Sequence, residues 1–127
     1  MPALEPLAGL RVVADPGALD AATWEADGPV TVLRIAPDEA LALGASGVEV
    51  DDEHAIVEPE PGFSAARLDA AGLASVLAHV EFRMPAERPA LAQGKLAGVP
   101  AKLLLDDDGA LLVVQTAYVA DLETRLR

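Results

Sequence analysis

Two turn signals divide the apolar C-terminal part of the chain into three segments of strand length. The signals are Ala97-Gly98 and Asp106-Asp-Asp-Gly109, and the segments are residues 91–96, 99–105 and 110–115. Asp-Gly favours the positive φ angles of tight hairpin turns. Strands joined by tight turns lie antiparallel to each other. The sequence therefore predicts a three-stranded antiparallel meander, with a positive φ at the Asp-Gly turn.

A strand and a capped helix are predicted before this meander. Residues 63–68 favour a strand, and Asp69 after them is a typical N-cap. The apolar residues that follow recur at i, i+3, i+4 and i+7; they are Leu73, Val76, Leu77 and Val80. Leu68 before the cap is placed to pack on Leu73 as a hydrophobic staple. We expect all four residues of this stripe to face one apolar layer.

A second helix is predicted at the C-terminal end of the chain. Thr116 is its expected N-cap, and Val119, Leu122 and Leu126 form one apolar edge. Arg125 and Arg127 fall in the last turn, where positive charge complements the helix dipole.

The first half of the chain carries shorter signals. Strands are predicted over residues 10–14, 30–35 and 55–57, and a short helix after Asp15, with Pro16 at its first position. Residues 41–43 fit either a returning strand or a helix that ends at Gly44. Glu58-Pro-Glu-Pro-Gly62 is predicted to be a stiff loop, because proline lacks a backbone donor and restricts the residue before it.

Composition excludes several classes of protein. The chain has 127 residues, a length that suits one domain over residues 1–127 with one core, and it has no cysteine for thiol chemistry. A net charge of -12 and four aromatic residues argue against binding to nucleic acid or to anionic membranes. No apolar run is long enough for a membrane helix, and the N-terminus lacks the basic region of a signal peptide. We expect a cytoplasmic protein.

The charge is divided unevenly along the chain. Residues 1–60 carry thirteen acids and two arginines, a net charge of -11, whereas residues 61–127 carry eight acids and seven bases, a net charge of -1. The acidic half is interpreted as a solubilising surface, and the alternative is attraction to a basic partner.

The polar clusters do not form a recognised catalytic or metal-binding pattern. Asp51-Asp-Glu-His54 and Asp106-Asp-Asp108 carry oxygen ligands but lack the spacing of a calcium loop. The two imidazoles, His54 and His79, are expected at a solvated loop and a helix boundary. No serine lies in a motif that activates a nucleophile, and Lys95 lies outside any phosphate-loop motif. We therefore predict no catalytic residue and no metal site.

The order of segments in the second half resembles a known family. Three stretches carry this resemblance: Ala66-Arg-Leu-Asp-Ala-Ala-Gly-Leu-Ala-Ser-Val-Leu-Ala-His79, Ala92-Gln-Gly-Lys-Leu-Ala-Gly-Val-Pro-Ala-Lys-Leu-Leu104 and Leu111-Leu-Val-Val-Gln-Thr-Ala-Tyr-Val-Ala-Asp-Leu122. Together with Leu33-Arg-Ile-Ala-Pro-Asp-Glu-Ala-Leu-Ala-Leu43, they resemble the gamma subunit of heterotetrameric sarcosine oxidase. That family belongs to the aminomethyltransferase-like, folate-binding-domain superfamily. The resemblance covers about residues 30–127.

The resemblance implies both a fold and a role. The fold is α+β, a mostly antiparallel sheet with helices packed on one face, as in the folate-binding domain. The role is that of a non-catalytic accessory protein beside a flavin-dependent sarcosine or amine oxidase, with partner subunits or further copies of the chain as its partners. The resemblance carries no catalytic residue and no cofactor onto this chain.

The alternative is a stand-alone domain that binds a folate-like or other planar polar ligand. Such sites are mostly apolar and have a few polar anchors. The candidates for these anchors are Glu58, Arg67 and Gln93.

Overall fold

Antiparallel strands dominate the computed structural model, which describes residues 1–127. Strands make up 46% of the chain and helices 18%, and every strand pairing is antiparallel. The strands are β1 (Glu5–Pro6), β2 (Gly9–Val13), β3 (Thr23–Glu25), β4 (Thr31–Ala36), β5 (Glu39–Leu43), β6 (Gly47–Glu49), β7 (Ile56–Glu60), β8 (Phe63–Asp69), β9 (Ala90–Leu96), β10 (Val99–Leu105) and β11 (Gly109–Gln115). The helices are α1 (Pro16–Asp20), α2 (Ala70–Leu77) and α3 (Val119–Arg125), with a 3₁₀ turn at Thr116–Tyr118. The α+β class is confirmed.

Two compact units share the chain. Unit 1 consists of Met1–Pro6 and Gly62–Arg127, and unit 2 is Leu7–Pro61. This division does not show that either unit folds by itself, so the single domain over residues 1–127 stays a prediction.

Unit 2 contains a four-stranded sheet in the order β4-β5-β2-β7 and a two-stranded sheet of β3 and β6. The carboxylate of Asp15 accepts a hydrogen bond from Gly17 N and caps α1, with Pro16 in the first turn, as predicted. Leu19 of α1 packs into an apolar cluster with Leu10 and Val12 of β2.

The alternatives for residues 41–43 are resolved in favour of a strand. β5 lies between β2 and β4, and its residues from Ala40 to Leu43 are all buried. A strand buried on both faces has no apolar-polar alternation, so its sequence does not distinguish it from a short buried helix.

The predicted loop at Glu58-Pro-Glu-Pro-Gly62 is wrong for its first three residues, Glu58, Pro59 and Glu60, which belong to β7.

β7 is an edge strand, paired only with β2. Ala14 N donates to Asp38 O and Gly44 N to Ala8 O, so the even-numbered residues of β2 direct their backbone groups towards β5. Its odd-numbered residues therefore bond to β7. Pro59 is opposite Leu10, so its position faces the free edge and the missing N–H costs no hydrogen bond in the sheet.

Unit 1 contains a five-stranded sheet in the order β1-β8-β11-β10-β9, which includes the predicted meander of β9, β10 and β11. The turn between β9 and β10 has positive φ at Ala97 (50°) and Gly98 (80°). The prediction of a positive φ at Gly109 is wrong. Instead, a Cβ at Gly109 would overlap the carbonyl oxygen of Leu68, so glycine allows the backbones of β8 and β11 to approach closely.

Helices α2 and α3 bury their apolar sides against one face of this sheet. Asp69 caps α2 by accepting a hydrogen bond from Gly72 N (2.7 Å), as predicted. The core cluster on this face combines residues of α2 and α3 with the inner side chains of the strands; it contains Leu68, Leu73, Val76, Leu103, Leu112 and Leu122 among others. The predicted layer of helices on one face is therefore present in unit 1.

Three details of the predicted helices are wrong. α2 ends at Leu77, so Val80 lies outside the helix and pairs with Leu96 in an isolated β-bridge. Leu77 is 38% exposed, because it lies about 100° from the buried Val76 around the helix axis, on the solvent side of the stripe. Thr116 begins the 3₁₀ turn and caps no helix; neither that turn nor α3 has a side-chain cap. The Thr116 hydroxyl lies 2.8 Å from the hydroxyl of the buried Ser64 instead. None of the helices has the length and apolar character needed to cross a bilayer.

Candidate functional site

An ion pair between Arg67 and Asp106 is the main polar feature around the predicted site residues. Arg67 Nη2 donates to Asp106 Oδ1 at 2.8 Å, and Arg67 Nη1 contacts Asp106 Oδ2. Asp106 Oδ1 also accepts hydrogen bonds from the backbone N–H groups of Asp108 (2.9 Å) and Gly109 (2.8 Å). The carboxylate of Asp106 therefore organises the turn between β10 and β11 and links that turn to β8.

These contacts shift the titration of both side chains. The pKa of Asp106 is lowered from 3.8 to about 2, mainly by the Arg67 guanidinium and also by the N–H groups of Asp108 and Gly109. The hydrogen bond to Asp106 in turn raises the pKa of Arg67. The charges of the pair are satisfied within the protein, since each group stabilises the ionised form of the other.

A cavity of about 290 Å³ lies beside this pair and is lined by Pro2, Arg67, Asp69 and Asp108. The cavity brings one cation close to two carboxylates, and the guanidinium is already bonded to Asp106. Because the carboxylates outnumber the cation, the cavity favours a cationic or neutral polar group over an anionic one.

Gln93 lies on the edge strand β9, whereas Arg67 lies on β8 beyond β10 and β11. Three strand spacings separate β8 from β9, a distance of about 14 Å. Gln93 Oε1 accepts a hydrogen bond from Lys102 Nζ at 3.0 Å. The structure therefore does not bring Arg67 and Gln93 together. Glu58, the third predicted anchor, belongs to β7 of unit 2.

The acidic loop before β7 is held in place by hydrogen bonds to the Asp52 carboxylate. Asp52 Oδ2 accepts a hydrogen bond from Asp15 N (2.8 Å), and Asp52 Oδ1 accepts one from His54 N (2.9 Å). These two N–H groups, Asp15 first, lower the pKa of Asp52. His54 is solvent-exposed, and its Nε2 lies 3.4 Å from Glu53 Oε1. Asp52 therefore fixes the loop that leads into β7.

The remaining chemistry-bearing side chains do not assemble into a reactive group. No set of three or more His, Asp or Glu side chains is arranged to hold a metal ion. Ser75 and His79 line the same cavity, but its volume of about 80 Å³ is far below that of an ordinary ligand pocket. The buried Ser64 hydroxyl is paired with Thr116 rather than with a base. No serine hydroxyl is hydrogen-bonded to an imidazole or a carboxylate, so no nucleophile is paired with a general base.

A cavity of about 380 Å³ lies between the N-terminal residues and the end of α3. Its lining consists of Met1, Pro2, Ala3, Glu123, Leu126 and Arg127. The charged side chains in this lining are those of Glu123 and Arg127. The cavity has the size of a ligand site but no set of converging polar anchors.

The exposed edge of unit 2 is the most unusual surface. Ile56 and Val57 on β7 are 55% and 45% exposed, the two most exposed β-branched aliphatic side chains of the molecule. On the same face as Ile56, Arg11 of β2 holds Glu60 of β7 (3.1 Å) and Glu39 of β5. The sequence predicts a short strand over residues 55–57, but it does not predict that Ile56 and Val57 are exposed. The usable signal was Pro59, because proline within a strand pattern indicates an edge.

Comparisons with known proteins give no relative. No protein-family model matches the chain, and no curated protein matches it closely enough to count as one.

Proposed function

We propose that this chain is a non-catalytic accessory or interaction protein of the cytoplasm, similar in role to the gamma subunit of a flavin-dependent sarcosine or amine oxidase. The order of segments over residues 30–127 suggested this role, and the α+β architecture is compatible with it. The lack of a nucleophile beside a base favours binding over catalysis.

The observation that carries the proposal is the edge strand β7. Ile56 and Val57 are exposed at the free edge of a four-stranded sheet. Proteins ordinarily cover or charge such edges, because unpaired backbone groups and apolar side chains there associate with other chains. We infer that a protein partner covers Ile56 and Val57 at this edge.

The test is capture of the partner from the organism that encodes the chain. The tagged full-length protein is incubated with lysate, and the eluted proteins are assayed for flavin absorbance and for oxidation of sarcosine and related secondary amines. We expect a flavoprotein with that activity to co-elute. Eluates without flavin at saturating lysate would contradict the accessory role.

A pair of variants connects the capture to β7. Val57→Lys places a charge on the exposed edge, and Leu77→Lys makes the same kind of change at a 38% exposed position on α2 of unit 1. We expect Val57→Lys to lose the flavoprotein and Leu77→Lys to retain it. Equal capture by both variants would exclude β7 as the contact.

The second candidate is the binding of a planar polar ligand beside Arg67, and the cavity of about 290 Å³ favours it. In that case a neutral pterin, the planar part of a folate, raises the melting temperature of the wild-type chain, and Arg67→Gln abolishes the shift. Gln93→Ala is the control, because Gln93 lies about three strand spacings away. A shift that survives Arg67→Gln would exclude this cavity.

A further inference from the structure

The free edge of β7 offers a short backbone pairing site. Ile56, Glu58 and Glu60 pair with Val13, Arg11 and Gly9 of β2, the residues whose backbone groups face β7. Alternate residues of an antiparallel strand direct their N–H and C=O groups to opposite sides. The N–H and C=O of Val57 therefore point to the free edge.

Pairing at this edge is limited on both sides of Val57. Pro59 has no N–H, and its ring occupies the space that a neighbouring strand would need. On the other side, Ala55 N already donates to Asp52 O. Only a segment of about three residues, opposite Ile56, Val57 and Glu58, can pair here.

The side chains of this segment present two apolar surfaces and one charge. Ile56 and Val57 point to opposite faces of the sheet, since side chains alternate along a strand. Val57 is opposite Val12, which belongs to the buried apolar cluster of unit 2. Glu58 is exposed and makes no side-chain hydrogen bond or ion pair within the protein.

The charge of unit 2 selects the kind of partner. Leu7–Pro61 contains twelve acids and two bases, which gives a net charge of -10. Both bases are already bound to carboxylates, Arg11 to Glu39 and Glu60 and Arg34 to Asp20. Unit 2 therefore carries uncompensated negative charge, with Glu58 on β7 itself, and a positively charged partner is attracted to it.

A second copy of this chain is a poor occupant of the edge. Each copy carries a net charge of -12, so two copies repel each other. In a symmetric antiparallel pairing centred on Val57, Glu58 would lie opposite Ile56 of the other copy. That arrangement leaves a carboxylate against an apolar side chain on both sides of the interface.

We propose that β7 docks an extended basic segment of a partner protein by strand addition at Val57. The proposal rests on the proposed function, since it names the chemistry of the partner that an accessory protein would hold. An antiparallel partner strand exchanges two backbone hydrogen bonds with Val57. Reading from its N-terminus, it places a lysine or arginine opposite Glu58 and two apolar residues opposite Val57 and Ile56.

Two synthetic peptides test this chemistry on the full-length chain. The probe is fluorescein-labelled Lys-Thr-Lys-Val-Val amide, and the control is Glu-Thr-Glu-Val-Val amide, which has the same apolar residues and opposite charge. At low salt we expect the lysine peptide to bind at least about tenfold more tightly, with a difference that shrinks as salt screens the charges. Equal affinities, or no saturable binding of the lysine peptide, would overturn the proposal.

Two variants of one residue separate backbone pairing from simple apolar contact. Val57→Pro removes the N–H that points to the free edge and leaves the bonds to β2 in place, as Pro59 already does. Val57→Thr keeps that N–H and the β-branched shape. We expect Val57→Pro to weaken peptide binding by about fivefold or more and Val57→Thr to change it by less than about twofold. Equal affinities of the two variants would exclude strand addition.

The peptide experiment tests strand addition at β7 and the capture experiment tests the accessory role, so either one can fail while the other succeeds. A lysine peptide that binds at Val57, together with eluates that contain no flavoprotein, contradicts the accessory role and supports the docking edge. A captured flavoprotein that Val57→Pro and Val57→Thr retain equally supports the accessory role and overturns strand addition at β7.

Discussion

The hydroxyl groups of Ser64 and Thr116 lie 2.8 Å apart and join the start of β8 to the 3₁₀ turn after β11. Ser64 is only 1% exposed and is the one buried polar residue of the molecule, whereas Thr116 is exposed. The pair is therefore asymmetric: Thr116 can exchange its partner for water, and Ser64 cannot.

This asymmetry predicts the outcome of a double-mutant cycle. Thr116→Val leaves the buried Ser64 hydroxyl without a partner and should lower the free energy of unfolding by about 1–3 kcal/mol. Ser64→Ala removes the buried polar group itself and should cost less. The double variant should be no less stable than Thr116→Val alone. Urea unfolding of the four proteins measures these differences, and additive losses would show that the hydroxyls are not coupled.

The Arg67–Asp106 pair predicts a pH dependence of stability. The pKa of Asp106 is lowered from 3.8 to about 2, so its stabilising contribution is complete above pH 3.8 and is lost as the pH falls towards about 2. The difference in unfolding free energy between wild type and Asp106→Asn should therefore shrink across that interval. Asp107→Asn, a change at the neighbouring exposed acid of the same turn, is the control and should leave the profile unchanged.

A direct titration tests the cause of the shift. Arg67→Gln removes the largest contribution to the lowered pKa of Asp106. NMR titration of the Asp106 carboxyl carbon should show its pKa rising towards 3.8 in this variant. A pKa that stays near 2 would assign the effect to the backbone N–H groups of Asp108 and Gly109 instead.

The close approach of β8 and β11 predicts a steric effect at Gly109. Gly109→Ala would place a Cβ against the backbone of Leu68, which cannot move without distorting β8. We expect a loss of about 1–3 kcal/mol in the free energy of unfolding. Gly28→Ala is the matched control, because no atom lies within 4 Å of a Cβ at that position. Equal effects of the two variants would contradict the close approach.

Helix α2 provides a matched pair of leucines. Leu73 is 9% exposed and belongs to the core cluster, whereas Leu77, one turn later, is 38% exposed. Leu73→Ala should lower the free energy of unfolding by about 2–5 kcal/mol, since it leaves a cavity. Leu77→Ala should cost well under half as much. Comparable losses in urea unfolding would show that the whole predicted stripe is buried.

The sequence predicts a structural feature correctly where all the residues that determine the feature lie in one short segment. The cap at Asp69, the turn at Ala97-Gly98 and the meander around it depend on neighbouring residues, and the structure has them where the sequence predicts. The role of Thr116 depends instead on Ser64, which lies 52 residues away. No local pattern contains that partner.

The candidate site residues show the same limit. Side-chain chemistry suggests three polar anchors, Glu58, Arg67 and Gln93. Only the strand order shows that β11 and β10 separate β8 from β9. The exposure of Ile56 and Val57 likewise follows from the edge position of β7. Pro59 indicates an edge, but no local pattern shows which strands pair with β7 or how far its side chains are exposed.

The sequence by itself determined the capped α2, the positions of the hairpins and the excess of negative charge, because caps, turns and charge are properties of single segments. The tertiary structure decided which strands are edges, which leucines of a stripe are buried, and that Arg67 binds Asp106. Those outcomes depend on contacts between segments far apart in the chain, and their energies arise only when the sheet has formed.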